Sequence, residues 1–111
     1  MNGFYRMDYE GRSDTGAGAI ALVNGKIAGL DIGGGIYKGS YSIDQSTNEL
    51  TGTVDVSFPQ GGQLVTGAVI PPGGHFTVPL RLNAGQMTSQ IIQLQLPSGA
   101  ISVRLSRVAD L

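Results

Sequence analysis

The sequence predicts an all-β fold of about eight antiparallel strands wound up and down into a barrel, with a two-sheet sandwich as the alternative. Three observations predict it. First, Asn24-Gly25 stands between two apolar runs, and a two-residue type I′ hairpin turn needs positive φ at both central positions, which Asn and Gly tolerate best. Second, segment after segment alternates apolar and polar residues with period two, and none sustains a helical period. Third, Gly29, Gly39 and Gly52 fall on the inward phase in mid-strand. Glycine there weakens a flat sheet but suits a strand that must bend sharply to close a small barrel.

The first strand is Gly3 to Tyr9, with Tyr5, Met7 and Tyr9 on one face and Phe4, Arg6 and Asp8 on the other. A turn-rich stretch, Glu10 to Gly16, leads to the second strand, Ala17 to Val23. The Asn24-Gly25 turn then sets its register against the third, Lys26 to Ile32, so that Leu22 faces Ile27, Ala21 faces Ala28 and Ala19 faces Leu30. Ile20, Leu22 and Ile27 form the core side of this pair. Ala19, Ala21, Val23, Ala28 and Leu30 form the other side, small and apolar where charges would be expected if water were the sole neighbour. They are the candidate face for a second subunit or a partner.

Gly33-Gly34-Gly35 precedes the fourth strand, Ile36 to Asp44, which turns its Tyr37, Gly39, Tyr41 and Ile43 inward. Gln45 to Asn48 is a polar turn into the fifth strand, Glu49 to Phe58. If Ile43 faces Leu50, Tyr41 lies opposite Gly52, a ring over bare backbone. Residues 59–74 are a long Pro/Gly-rich connection, because Pro71-Pro72-Gly73-Gly74 cannot sit inside a sheet. Alternation returns at His75, with Phe76, Val78, Leu80 and Leu82 inward and Pro79 on the outward, edge-like phase. Asn83-Ala84-Gly85 turns the chain into a seventh strand around Ile92, Leu94 and Leu96. Pro97-Ser98-Gly99 then leads to an eighth around Ile101, Val103 and Leu105. Closure of eight such strands leaves an interior that fits side chains or one small ligand.

Composition narrows the function. The 111 residues form one domain, 1–111, and only 14% are charged, against about 25% in average soluble proteins. A net charge of −1 offers no electrostatic case for nucleic acid or an anionic membrane. With no cysteine there are neither disulfides nor thiolate metal sites. No run reaches the roughly 20 apolar residues of a membrane helix, and the charged N-terminus is unlike a secretory signal. A soluble, cytoplasmic protein is expected.

No catalytic, cofactor or metal site is expected either. The lone His75 reads as a solvated residue, and the acids, Asp31 among them, read as scattered over turns and outward positions without a pair across a cleft. Neither glycine cluster is followed by the helix and Lys-Ser/Thr pair of a phosphate loop. Arg81, Arg104 and Arg107 read as a solvated trace. Tyr37, Tyr41 and Phe58 are candidates for lining an interior pocket.

Gly3-Phe4-Tyr5, Asn24-Gly25, Gly29-Leu30-Asp31, Tyr37-x-Gly39-x-Tyr41 and the closing stretch Val103 to Val108 together resemble the GrlR family, negative regulators of type III secretion. The likeness is best from Gly3 to Val56 and weak through the proline-rich connection. It implies a lipocalin-like eight-stranded barrel, a homodimer, no catalysis, and regulation by binding a protein, in the founding member a helix-turn-helix transcriptional activator. It also points to the turn between the fourth and fifth strands, where that member carries a Glu-Asp-Glu-Asp run. Here the turn reads Asp44-Gln45-Ser46-Thr47-Asn48-Glu49, with Asp44 and Glu49 as its acids, and Asp44, Asn48 and Glu49 are the candidate partner turn. A small-molecule carrier using the barrel interior is the alternative function.

Overall fold

A computed structural model describes residues 2–87 and 90–111. The chain runs β1 (Gly3–Glu10), β2 (Thr15–Val23), β3 (Lys26–Asp31), β4 (Ile36–Asp44) and β5 (Glu49–Phe58). Two short strands follow, β6 (Gly62–Gln63) and β7 (Val69–Ile70), paired only with each other. Then come β8 (Gly74–Asn83), a 3-10 helix (Ala84–Met87), β9 (Ile91–Leu96) and β10 (Gly99–Asp110). The eight long strands form one antiparallel sheet in the order β8-β5-β4-β3-β2-β1-β10-β9. Successive long strands therefore lie side by side except β8 and β9, and the first and last strands, β1 and β10, pair with each other. The sheet curls into a nearly closed barrel, 40 × 23 × 23 Å in extent, whose seam falls between β8 and β9. Pro79 lies on β8, at the sheet edge, where a missing amide costs least.

The predicted register holds. Asn24 and Gly25 have φ of 50° and 79°, as a type I′ turn demands, and they set Leu22 opposite Ile27, Ala21 opposite Ala28 and Ala19 opposite Leu30. Tyr41 lies opposite Gly52. The inward side chains of all eight strands make one core, with Tyr5, Leu22 and Leu50 almost wholly enclosed.

Sheet curvature depends on close backbone approach at the mid-strand glycines. A Cβ at Gly39 would lie 2.2 Å from the Thr53 carbonyl oxygen, and one at Gly52 would lie 2.2 Å from that of Ser40. No flexible side chain stands there to move aside, so β4 and β5 can press together only because both positions lack a side chain.

Three features differ from the sequence reading. The eighth predicted strand is longer, running to Asp110, because β1 offers it pairing partners as far as Gly3. The turn after Asn83 is a 3-10 helix that buries Ala84 and Met87. The 59–74 connection is no loose loop: between β6 and β7 its Val65 and Thr66 are buried against the barrel end.

Candidate functional site

The barrel has two different ends. At the end holding the 11–14 loop, the Gly33–Gly35 bend and the Pro97-Ser98 turn, residues 64–68 fold back as a plug. Ser13 N and Asp14 N both donate to the Val65 carbonyl, at 2.8 and 3.2 Å. Thr66 Oγ1 and Ser98 Oγ lie 2.8 Å apart, which partners the buried hydroxyl. At the opposite end the 3-10 helix buries its own Met87, and Ala84 N anchors the helix by donating to the Asn48 carbonyl at 2.9 Å.

Between the two plugs lies an interior cavity of about 160 Å³, lined almost wholly by aliphatic and aromatic side chains, including Leu22, Val54, Val78 and Leu105. Its mouth is at the first end, between Gly33 and Gln63, both of which are exposed. Of the residues expected to line a pocket, Tyr37 and Phe58 do so, and Tyr41 packs against the core outside the cavity wall.

One polar cluster faces this cavity, and it centres on Asp31. Its Oδ1 accepts from Gly33 N and Gly35 N at 2.9 Å each, a local turn that the glycines permit. Its Oδ2 accepts from the Tyr37 hydroxyl. The Tyr9 hydroxyl lies in the same cluster, where Asp31 and Tyr37 both act on its phenol. Burial pushes the Tyr9 phenol up to about 12, helped by the nearby Asp31 charge and the hydrogen bond to it. Burial pushes Tyr37 further in the same direction, again with Asp31 adding to it. Both phenols thus hold their protons through neutral pH.

This placement corrects the reading of Asp31 as a turn or outward acid. Period two from Ile27 and Gly29 puts Asp31 on the inward phase of β3, so the signal was present in the register. The arginine trace also needs correcting at one position. Arg107 is engaged, not merely solvated: Nη1 donates to the fully buried Tyr5 hydroxyl at 2.6 Å, Nη2 donates to the Asn2 carbonyl at 2.8 Å, and the guanidinium lies 5.4 Å from the Tyr5 ring centre. Arg81 pairs with Glu49 at 3.1 Å.

The outer face of β2 and β3 carries the expected stripe. Ala19, Ala21, Val23, Ala28 and Leu30 lie on neighbouring strands, with Leu30 63% exposed. Phe4 of β1 sits opposite Ala21 and Ile36 of β4 opposite Leu30, which widens the apolar face across four strands. Arg6, Lys26 and Lys38 border it.

Asp44, Asn48 and Glu49 come together at the β4–β5 turn, where Asn48 takes a φ of 59°. The Ser46 hydroxyl and amide, donating at 2.6 and 2.9 Å, hold the Asp44 carboxyl below its usual range. Glu49 pairs with Arg81, and Asp44 carries an exposed negative charge at the turn. His75 is exposed opposite Ser57. Among the described residues no group of three or more His, Cys, Asp or Glu side chains could hold a metal ion, and no helix is long and apolar enough to cross a membrane.

Fold and interior together define the class: a small antiparallel β-barrel, plugged at both ends, with an apolar internal cavity and one polar cluster at its mouth. Comparison with protein-family models, curated proteins and solved structures finds no match to the chain.

Proposed function

We propose that this protein is a non-enzymatic, cytoplasmic regulator that works by binding protein through the outer face of β2 and β3. The observation that carries this reading is the apolar face formed by Ala19, Ala21, Val23, Ala28 and Leu30, extended by Phe4. Contiguous exposed apolar surface on a water-soluble barrel lowers free energy when another surface covers it. Alanines keep the face shallow, so a second sheet can approach closely along its whole width.

The first partner is a second copy of the same chain, the two outer faces packed together in a homodimer. A net charge of only −1 puts little repulsion in the way of such pairing. The likeness of the Gly3-Phe4-Tyr5, Asn24-Gly25 and Tyr37-x-Gly39-x-Tyr41 signature to GrlR-type regulators supports a further partner, a transcriptional activator held inactive. The Asp44–Glu49 turn, free of the 19–30 face, is the surface proposed for that partner.

Light scattering on the eluting protein at tens of micromolar tests the reading. The expected mass is twice the 11.5 kDa of one chain. Ala21→Arg is expected to return it to a single chain with the β-sheet spectrum intact, while Thr51→Arg on the exposed face of β5 leaves the dimer whole. A single-chain mass for the unaltered protein would overturn the proposal.

A further inference from the structure

We infer that the barrel interior is a binding site for a small, uncharged, single-ring compound that carries one hydrogen-bond donor. Size is the first argument. The cavity holds about 160 Å³, whereas sites for drug-sized ligands run to roughly 300–1,000 Å³. An apolar cavity of about 150 Å³ stays dry and takes up benzene. One ring fits, and a long acyl chain does not.

Polarity at the mouth supplies the second argument. Asp31 Oδ1 is occupied by Gly33 N and Gly35 N, and Oδ2 by the Tyr37 hydroxyl, with Tyr9 in the same cluster. With its proton given to Asp31 Oδ2, the Tyr37 phenol has only oxygen lone pairs left to offer a guest. A guest that donates is matched to that oxygen. A phenol or alcohol hydroxyl meets that need, and its ring would lie among Leu22, Val54 and Val78. A guest carboxylate would set its charge against Asp31 in a medium where charges are poorly screened. A charged amine would lose its hydration to an almost wholly apolar wall.

The site is independent of the outer face, because its lining residues point to the opposite side of the sheet. Gly33 and Gln63, the exposed residues of the lining, lie at the end where the plug between β6 and β7 is held to the 11–14 loop by two backbone hydrogen bonds to one carbonyl.

Titration of the whole protein with p-cresol, toluene and p-toluate, followed through the valine and leucine methyl resonances, tests the inference. p-Cresol is expected to shift the methyls of Leu22, Val54 and Val78. Toluene is expected to shift the same methyls with roughly tenfold lower affinity, the worth of one hydrogen bond. p-Toluate is expected to shift none. In the Tyr9→Phe, Tyr37→Phe double variant p-cresol should fall to the affinity of toluene, with toluene itself unchanged. Val78→Phe should abolish binding of both, and Val78→Leu should weaken it where the larger substitution prevents folding. No interior shift at the solubility limit of p-cresol would overturn the proposal. So would p-toluate binding as well as p-cresol, or a double variant that keeps the wild-type preference.

Discussion

The Tyr37 hydroxyl donates its hydrogen bond to Asp31 Oδ2 at the mouth of the barrel, six residues away along the chain and across the β3–β4 pair. Asp31 ends β3 on its inward phase, and the Gly33–Gly35 bend turns β4 back so that Tyr37 returns beneath it. The same carboxylate fixes the bend through two backbone amides. One side chain therefore shapes the turn and supplies the polar end of the cavity.

Alkaline pH tests this cluster. Burial pushes the Tyr9 phenol up to about 12 in the folded protein, against 10.0 for an unperturbed phenol, and Tyr37 further in the same direction. Above pH 10 an unfolded chain releases these protons while the folded one keeps them, so raising the pH favours unfolding. The stabilisation is complete below pH 10 and drains away from 10 to 12 as the unfolded phenols ionise and Tyr9 follows. The melting temperature is expected to fall over that window, and less steeply in Tyr9→Phe. Tyrosinate absorbance should show late-titrating phenols that disappear in the Tyr9→Phe, Tyr37→Phe double variant.

Barrel curvature can be tested at Gly52. A methyl group there would stand 2.2 Å from the Ser40 carbonyl oxygen, and relief requires moving one strand backbone against another. Gly52→Ala is expected to destabilise by about 1–3 kcal/mol or more, the usual range for overpacking. Gly39→Ala should do the same against the Thr53 carbonyl. Gly34→Ala meets no atom within 4 Å, so its cost comes only from the positive φ of 93° and should be smaller. Urea denaturation of the three variants gives the ranking.

Arg107 links the termini at the far end of the barrel. Arg107→Ala strips the buried Tyr5 hydroxyl of its partner and the Tyr5 ring of a covering cation, so the melting temperature should drop. In a Tyr5→Phe background no hydroxyl is left to orphan, and the same substitution should cost clearly less. Equal losses in both backgrounds would assign the effect to the Asp110 and Asn2 contacts instead.

How far the sequence shows these features depends on how local their causes are. Asn24-Gly25 dictates a turn by itself, and the turn carries the register of Ala19, Ala21, Ala28 and Leu30 with it. Tyr41 opposite Gly52 follows from counting outward from another short turn. Asp31 is legible only through strand phase: residues beside three glycines look like turn residues, yet the phase still governs the last one before the bend. Val65 and Thr66 were not legible, because a plug folding back between β6 and β7 has no period and owes its burial to Ser13, Asp14 and Ser98, distant along the chain. The Tyr5–Arg107 contact spans 102 positions and exists only once β1 and β10 pair. Nor does alternation say where a barrel leaves its seam. Here it falls between β8 and β9, beside the 3-10 helix, with the termini joined.

The most direct measurement of the protein-binding role is an alanine-methyl NMR spectrum followed through dilution. The outer face of β2 and β3 carries Ala19, Ala21 and Ala28, while Ala84 is buried near the end of the barrel and Ala100 is exposed on β10. As the protein is diluted from a dimer to single chains, the methyls of Ala19, Ala21 and Ala28 are expected to move together while those of Ala84 and Ala100 stay in place. Resonances of Ala19, Ala21 and Ala28 that hold still across the series, or movement confined to Ala100, would contradict it.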